Sequence, residues 1–221
     1  MLVLASNSPR RKQLLALTRL TFTILPAHVD ERIVPGEKPA DYVHRVAKEK
    51  AQVTAGLLDK PYTQDTYVIA ADTAVVDDFD ILGKPVDARE AENMLRKLRG
   101  HHHQVYTALA IFQPWNGEML GDICLTDVPM RDYKDEEMRV YIASGDPMDK
   151  AGAYAIQHNG FRPVEHLEGC FANVMGLPLC HLTRSLARVG ILPATDVPCA
   201  CQTALEYSCG IFHQVLTGIN G

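Results

Sequence analysis

The chain has 221 residues, and its 22 lysines and arginines against 27 aspartates and glutamates give a formal net charge of −5. Hydrophobic residues make up 47% of the sequence and charged residues 22%, which excludes an intrinsically disordered chain and allows a packed core. The negative charge gives no general attraction to nucleic acid or anionic membranes, so an anionic ligand must be held by a local cluster of cations or by a metal.

The most apolar stretch, residues 68–76, is too short for a transmembrane helix and contains Asp72. The apolar residues 1–5 are followed by three basic residues at 10–12, which reverses the charge order of a signal peptide. We therefore expect a cytoplasmic protein without a membrane anchor. Six cysteines are too few for a disulfide scaffold, so in a reducing compartment most of them are expected to be free thiols.

Short apolar runs bounded by turn residues predict strands, and apolar residues at helical spacing predict helices. In chain order these elements are a strand at 2–5, a helix at 10–18, a strand at 21–26, a helix at 40–57, strands at 67–71 and 74–76, a hairpin partner at 81–85, a helix at 88–98, strands at 103–112 and 119–130, a helix at 135–143, strand-like segments at 152–156 and 174–176, and a helix at 179–189. Helices alternate with strands and hairpins, so the prediction is an α/β fold around a mixed sheet.

The loop that joins the first strand to the first helix carries hydroxyls and cations together. Ser6 and Ser8 precede Arg10 and Arg11, which fall in the first turn of the predicted helix. A helix N-terminus attracts anions, and cations placed there oppose the helix dipole, so an anionic ligand is indicated. In the alternative interpretation, Ser8 only caps the helix and the cations are solvated.

Asp72 is predicted at the end of a wholly buried strand, where a carboxylate is costly unless it is paired, hydrogen-bonded or metal-bound. This position suits a metal ligand or a general base, and the alternative is an aspartate that hydrogen-bonds a turn. Lys50, on the apolar stripe of the helix at 40–57, and Lys84 bring positive charge to the same place unless they extend to water.

The segment 193–221 is predicted as a cysteine-containing tail that follows one domain over 1–192. Cys199, Cys201, Cys209 and His213 form a weak zinc or cluster pattern, and a flexible tail with free thiols is the favoured interpretation. Truncation after Leu192 is accordingly expected to leave activity intact. The histidine run at 101–103 points to alternate faces of a strand and is expected to be solvated.

Five segments resemble, in order and spacing, the motifs of the Maf family of nucleoside triphosphate pyrophosphatases. They read LASNSPRR at 4–11, ADT at 71–73, LGKP at 82–85, DKAGAYAIQ at 149–157 and GLP at 176–178. The resemblance covers about residues 1–192. It implies a Maf/Ham1-like fold of the inosine-triphosphate-pyrophosphatase type, with a central mixed sheet and flanking helices in two lobes. It also implies a homodimer.

The resemblance further implies hydrolysis of a nucleoside triphosphate to the monophosphate and pyrophosphate, with Mg²⁺ or Mn²⁺ as cofactor. The form GAYAIQ is similar to the subfamily that acts on dTTP and UTP, with modified pyrimidine nucleotides as further candidates. No stable nucleic-acid partner is expected. The competing hypothesis is a non-catalytic nucleotide- or nucleic-acid-binding regulator of septum formation, and a third is a redox or metal sensor that works through the tail cysteines.

Carried over to this sequence, the family motifs make Asp72 the catalytic proton acceptor and, with Glu31, a metal ligand. They imply a substrate-binding set of Ser6, Arg10, Arg11, Glu31, Lys50 and Lys84. They imply a specificity set of Arg10, Thr73 and Gln157. The segment 169–173 departs from the glycine- and tyrosine-rich family pattern, and this departure bears on base preference.

Overall fold

The computed structural model describes residues 1–218, and its centre is a six-stranded sheet. The strands are β1 (Leu2–Leu4), β2 (Thr23–Ile24), β3 (Tyr67–Asp77), β4 (Asp80–Leu82), β5 (His102–Gln113) and β6 (Glu118–Pro129). Their order is β2-β1-β3-β5-β6, and β4 also pairs with β3. β1 is parallel to β2 and β3, while the pairs β3/β4, β3/β5 and β5/β6 are antiparallel. The predicted mixed sheet is therefore confirmed.

Eight α-helices surround the sheet in the described part of the chain. They are α1 (Pro9–Ala16), α2 (Pro39–Gly56), α3 (Ala88–Leu98), α4 (Asp135–Ala143), α5 (Phe171–Val174), α6 (Leu179–Ala187), α7 (Val197–Leu205) and α8 (Phe212–Thr217). The helices α3 and α4 have the predicted bounds, and Asp87 caps α3 by accepting from the main-chain N–H of Glu90. Within residues 1–218, none of the helices combines the length and apolar character that crossing a bilayer requires.

Alternate residues of the central strands serve opposite faces of the sheet. Val68 and Ala70 of β3 pack in a core cluster with α2, whereas Ile69 and Ala71 pack in a second cluster with α1 and α6. A third cluster joins α3 and α4 to the far half of the sheet, beyond Thr73. Because successive side chains of a strand point to opposite faces, this alternation decides which helices each polar residue of β3 contacts.

Asp72 lies in the middle of β3, so the prediction that the strand ends there was wrong. On one edge, β1 pairs with β3 only as far as Ile69, and β4 begins to pair at Val75. On the other edge β5 pairs with β3 without a break from Val68 to Val76, including Asp72 and Thr73. The strand therefore stays regular, while the gap between β1 and β4 leaves its polar centre open on one side.

The prediction of two short strand-like segments after α4, at 152–156 and 174–176, was also wrong. Residues Ala151–Ala153 form a 3₁₀ turn, and Gly152 within it has φ +66 and stands where a Cβ would lie 2.8 Å from Val75. The second segment contains the end of α5 and Gly176, whose φ is +106. A short apolar run in a buried loop has the same composition as a buried strand, which is why the pattern misleads.

The part of the tail that the structure describes is folded, so the expectation of a flexible tail was wrong. Val197 of α7 and Val215 of α8 are buried, and Cys201 and Leu205 pack on the cluster that contains α1 and α6. Positions 197, 201 and 205 follow a spacing of four and so form one apolar stripe. Residues 219–221 of the predicted tail lie outside the described residues, and the boundary at 192 stays a prediction.

Candidate active site

A cavity of about 730 Å³ opens at the gap between β1 and β4. The loop after β1, the segment after β4 and the α2 face of β3 all contribute to its walls. Every residue that the sequence predicted for the site lines this one cavity: Ser6, Arg10, Arg11, Glu31, Lys50, Asp72, Thr73, Lys84 and Gln157. The fold therefore brings together side chains that are up to 151 positions apart, from Ser6 to Gln157.

Lys50 joins two carboxylates at the bottom of the cavity. Its Nζ lies 2.7 Å from Asp72 Oδ1 and 2.7 Å from Glu31 Oε1. Asp72 falls on the face of β3 that packs against α2, and α2 carries Lys50 on its buried side. Lys50 and Asp72 are 8% and 5% exposed, whereas the Glu31 side chain is 44% exposed at the rim. The ammonium group is thus buried between its partners and does not extend to water.

The two carboxylates have different acidities. Burial raises the pKa of Asp72 above its ordinary value, and the charges of Lys50 and Arg11 oppose that shift. Burial also acts to raise the pKa of Glu31, but the hydrogen bond and charge of Lys50, together with the charges of Lys84 and Arg11, leave that pKa below its ordinary value. Asp72 is therefore the better proton acceptor of the pair, and Glu31 keeps its charge at lower pH.

Arg11 reaches the cavity from the opposite face of β3. Its Nε donates to the carbonyl oxygen of Gly176 at 2.8 Å, and its Nη2 donates to Thr73 Oγ1 at 3.0 Å. Burial lowers the pKa of Arg11, although a guanidinium stays cationic throughout the range in which proteins are folded. Asp72 thus places a carboxylate on the α2 face of β3, and the next residue, Thr73, contacts the Arg11 cation on the α1 face.

At the start of α1, the capping interpretation of Ser8 is confirmed. Ser8 Oγ accepts from the main-chain N–H of Arg11 at 3.4 Å, and Ser6 Oγ accepts from the N–H of Ser8 at 3.1 Å. The first turn contains no acidic residue that would compensate the dipole and the cations. Capping does not exclude anion binding, because the turn still presents N–H groups and the Arg10 and Arg11 side chains to the cavity.

Lys150 lines the cavity, and the sequence analysis gave it no role. It is 8% exposed, and its Nζ donates to Asp149 Oδ1 at 2.6 Å and to Asp146 Oδ1 at 3.1 Å. Asp149 also pairs with Arg10 at 3.4 Å. Lys150 belongs to the DKAGAYAIQ segment, so the motif marked its position, but only the folded geometry shows that it fixes the partner of Arg10.

Two further predicted residues face the cavity without partners. The Oε1 atom of Gln157 is buried and accepts no hydrogen bond from any residue in the described part of the chain. Lys84 is exposed, and within residues 1–218 no carboxylate forms an ion pair with it. Both groups are therefore free to bind a ligand that enters the cavity.

The histidines and tail cysteines do not form a second site. The side chains at 101–103 alternate as predicted, but His103 is 2% exposed, so the expectation of a wholly solvated run was wrong. Within residues 1–218, no group of three or more His, Cys, Asp or Glu side chains is arranged to hold a metal, so the zinc pattern of Cys199, Cys201, Cys209 and His213 is not assembled. Burial raises the pKa of Cys201 to about 12, which makes it a poor nucleophile.

Comparison with known proteins gives matches over most of the chain. A dTTP/UTP pyrophosphatase of Geobacter sulfurreducens is 43% identical over 191 residues, which cover 86% of this chain and 97% of the relative. A dTTP/UTP pyrophosphatase of Anaeromyxobacter dehalogenans is 47% identical over 191 residues, covering 86% of this chain and 94% of that relative.

A solved nucleoside-triphosphatase / dITP/XTP pyrophosphatase from Mycobacterium abscessus is 15% identical and matches with a TM-score of 0.41, over 85% of this chain and 93% of that one. The sequence model of the family described as "Maf-like protein" matches residues 1–189. The family match thus spans the sheet, helices α1–α6 and all the residues of the cavity described above. With this match and relatives above 40% identity, the chain belongs to the Maf family.

Proposed function

We propose that this protein hydrolyses dTTP and UTP to the monophosphate and pyrophosphate in the cavity beside Asp72. The observation that carries the proposal is the cluster of buried Asp72 and Lys50 with Glu31 at the rim, which shares one cavity with Arg10, Arg11 and Lys84. A cavity of about 730 Å³ lies within the range that accommodates a nucleotide-sized ligand. The relatives from Geobacter sulfurreducens and Anaeromyxobacter dehalogenans, which each match 86% of this chain, are both named dTTP/UTP pyrophosphatase.

In this proposal Asp72 is the general base. Only its Oδ1 accepts a hydrogen bond among the described residues, which leaves Oδ2 to receive a proton from water. The raised pKa brings the carboxylate closer to the operating pH, where proton transfer in the transition state is most effective. Lys50 keeps the other oxygen in place, so the base is oriented before the substrate binds.

The cations of the cavity supply the charge that the triphosphate needs. Arg11 is held by two hydrogen bonds, while Lys84 is free to move toward an anion. Cations fixed near the leaving pyrophosphate stabilise the negative charge that develops on it. These groups explain how a protein with a net charge of −5 binds a polyanionic substrate.

The residues present fit a divalent cation that is shared with the substrate. Glu31 Oε1 and Asp72 Oδ1 each lie 2.7 Å from Lys50 Nζ, so the two carboxylates are neighbours at the cavity, and their other oxygens can share an ion there. Mg²⁺ and similar ions are often held by one or two carboxylates, with the remaining ligands from phosphate oxygens and water. When bound, such an ion polarises the phosphate and neutralises part of its charge.

Gln157 is proposed to read the base. Its amide offers a donor and an acceptor, which match the alternating carbonyl and N–H edge of uracil or thymine. The buried, unpartnered Oε1 atom supports this role, because such an acceptor gains a hydrogen bond when a base N–H enters the cavity. The segment 169–173, which departs from the family pattern, forms the start of α5 and the turn before it.

The test is pyrophosphate release from a panel of nucleoside triphosphates in the presence of Mg²⁺ or Mn²⁺. We expect dTTP and UTP to be hydrolysed ahead of ATP and GTP. Asp72→Asn should lower the rate by about 10²–10⁴, because the amide cannot accept the proton of the attacking water, while nucleotide binding measured by calorimetry persists. Binding without hydrolysis by the unmodified protein would favour the regulator hypothesis, and a purine preference would contradict the assignment of Gln157.

We place this activity in the cytoplasm, where thiols remain reduced, in keeping with the six unpaired cysteines of the described chain. The division of the helices into two lobes and the homodimer expected from the family resemblance both stay predictions. Sedimentation of the purified protein tests the dimer directly. A single species with the mass of one chain at micromolar concentration would contradict it.

A further inference from the structure

A series of hydrogen bonds crosses the face of the sheet opposite Asp72 and ends on Arg11. Thr73 Oγ1 accepts from Arg11 Nη2 at 3.0 Å and lies 2.9 Å from Thr107 Oγ1 on β5. Thr107 Oγ1 lies 3.0 Å from the main-chain oxygen of Asn173 in α5. Thr73 and Thr107 stand opposite each other in the antiparallel ladder, where paired side chains are in contact. Thr107 and Asn173 have no exposed surface, so water does not replace these bonds.

The direction of each hydrogen bond follows from the number of hydrogens available. A carbonyl oxygen only accepts, so the single hydroxyl hydrogen of Thr107 goes to Asn173. Thr107 must then accept the hydrogen of Thr73. A guanidinium only donates, so Thr73 accepts from Arg11. Thr73 therefore has no hydrogen left to donate to a nucleobase.

Both anchors of Arg11 depend on Asn173. The first anchor is the hydrogen bond to Thr73, which continues through Thr107 to the Asn173 oxygen. The second is the carbonyl oxygen of Gly176, which accepts from Arg11 Nε at 2.8 Å, and the Gly176 N–H in turn donates to the Asn173 oxygen at 2.8 Å. Two of the five N–H groups of the guanidinium are used in this way. The other three have no acceptor within residues 1–218 and are left for an anion.

Asn173 is itself fixed to the sheet. Its side-chain amide donates to the carbonyl oxygen of Val105 at 3.0 Å and to Thr126 Oγ1 at 2.8 Å. These bonds tie the short helix α5 to both β5 and β6. Both amide hydrogens of Asn173 are used in this way, while its Oδ1 atom is buried without a partner in the described residues, and linked hydrogen bonds of this kind reinforce one another. The position of the Arg11 guanidinium is therefore set by buried groups on the two strands beyond β3.

We propose that Thr107 is a positioning residue for phosphate binding, which acts on the triphosphate through Thr73 and Arg11. The proposal rests on the proposed function, since it assigns Arg11 to the triphosphate. A guanidinium held at Nε and Nη2 keeps its plane fixed and presents its remaining N–H groups to phosphate oxygens without a further loss of rotamer freedom. A merely structural Thr73–Thr107 pair predicts reduced stability with unchanged phosphate affinity.

The test compares Thr107→Val, which removes the hydroxyl and keeps the shape, with Thr107→Ser, which keeps the hydroxyl. The probe is inorganic tripolyphosphate with Mg²⁺, titrated by calorimetry at a temperature where thermal unfolding shows each variant folded. We expect Thr107→Val to weaken binding about tenfold, as the loss of a charge-linked hydrogen bond does, and Thr107→Ser to bind within about twofold of the unmodified protein. Equal affinity in Thr107→Val, or equal losses in both variants, overturns the proposal.

A second background shows whether Thr107 acts through Arg11. In Arg11→Lys, the change Thr107→Val should have no further effect on tripolyphosphate affinity, because the group that it positions is gone. An undiminished loss in that background contradicts the proposal. If Thr107→Val does not fold, Thr73→Val breaks the same series of bonds at its partly exposed end. It should weaken tripolyphosphate binding as Thr107→Val does, and an unchanged tripolyphosphate affinity in Thr73→Val contradicts the inference.

The outcome is separable from that of the proposed function. Tripolyphosphate contains no base and its binding is measured without turnover, so the comparison of Thr107 variants stands even if the protein hydrolyses no nucleotide. Conversely, hydrolysis of dTTP by a Thr107→Val variant with full tripolyphosphate affinity would leave the proposed function intact. That result would remove Thr107 from the site.

Discussion

Lys50 lowers the pKa of both carboxylates that it joins, but the net shifts differ in sign because Asp72 is buried and Glu31 lies at the rim. Its charge and hydrogen bond hold the pKa of Asp72 below the value that burial alone would produce, although the pKa remains raised. If Asp72 is the base, as we propose, it must be ionised, so activity is lost as the pH falls through the pKa of Asp72 in the folded enzyme. The acid side of the pH profile therefore reports on this ion pair.

We predict that Lys50→Met moves the acid limb of the kcat/KM profile to higher pH, since removing the ammonium takes away the main charge that opposes the burial of Asp72. Lys50→Arg retains the charge and should leave the limb closer to that of the unmodified enzyme. The measurement is kcat/KM for dTTP across the acid range. An acid limb in the same position for Lys50→Met would show that Asp72 is not the group that titrates.

Gln157→Ala is expected to reduce selectivity more than rate. The variant lacks the amide that matches uracil and thymine, so the ratio of kcat/KM for UTP over CTP should fall by about tenfold, with kcat reduced by less than about threefold. Gln13→Ala, which changes an exposed glutamine of α1 outside the cavity, is the matched control. A uniform loss for every nucleotide would indicate that Gln157 supports a loop and does not contact the base.

For single residues, the sequence predicted which side chains belong to the cavity better than it predicted which residues hydrogen-bond to them. Asp72 and Lys50 stood out because charged residues within apolar patterns need partners, and the cavity brings them together. Thr107 and Lys150 gave no such signal. A threonine in a strand and a lysine in a loop are ordinary, and their importance arises only from the register of β3 with β5 and from the 3₁₀ turns after α4. These contacts join residues that are distant in sequence, so residue types and their spacing along the chain do not predict them.

At the scale of elements, β5 shows how burial alters a titratable group. His103 points into the core, where its Nε2 lies 2.8 Å from the Tyr154 hydroxyl, and burial lowers its pKa to about 4. A histidine with a lowered pKa is held neutral in the folded state. The unfolded chain, with an ordinary pKa near 6.5, binds more protons between these values, so stability falls as the pH falls through that window.

We predict that His103→Gln reduces this acid destabilisation. The free energy that the unmodified protein loses through His103 between about pH 6.5 and pH 4 is about 3 kcal/mol, and glutamine keeps a hydrogen-bonding side chain without titrating. Urea unfolding at several pH values measures the difference. Burial also lowers the pKa of His181 to about 4. His181→Gln should therefore reduce the loss of unfolding free energy at acid pH independently of His103→Gln. Parallel pH dependences in all three proteins would contradict the prediction.

Elements with their own end signals were predicted best. The helix α3 begins after the cap Asp87 and ends before Gly100, and its predicted and observed bounds agree. The segment after α4 lacks such signals, and its alternating small and large residues reflect burial under the sheet. Gly152 at φ +66 is the residue that breaks it into turns, but a glycine alone does not reveal whether its φ is positive.

For the molecule as a whole, the helices α7 and α8 change the expectation for the C-terminal segment. Arg184 of α6 donates to the carbonyl oxygen of Val215 at 3.1 Å and pairs with Asp122 of β6 at 2.8 Å. On the other side of α6, Cys201 and Leu205 cover a small apolar cavity beside α5. The family match ends at residue 189, so these contacts are additions to the matched part of the chain. Resemblance alone therefore gave no information about them.

The packing of α7 and α8 reverses the expectation that truncation after Leu192 is harmless. Removal of the two helices exposes apolar surface on α5 and α6, so we predict a lower melting temperature for the fragment of residues 1–192. The effect should extend to the site, because α5 carries Asn173, which holds both anchors of Arg11. At a temperature where the fragment is still folded, its KM for dTTP should rise more than its kcat falls.

Two single substitutions in α7 test whether the buried face of that helix is what stabilises the domain. Val197 is 2% exposed, and Val197→Ala should cost about 1–3 kcal/mol of unfolding free energy and raise KM in the same direction as the truncation. Cys199 is exposed on the same helix, so Cys199→Ala should leave both quantities unchanged. If the fragment has the same melting temperature and the same KM as the full chain, then α7 and α8 pack on the domain without stabilising it, and Arg11 is held by α5 alone.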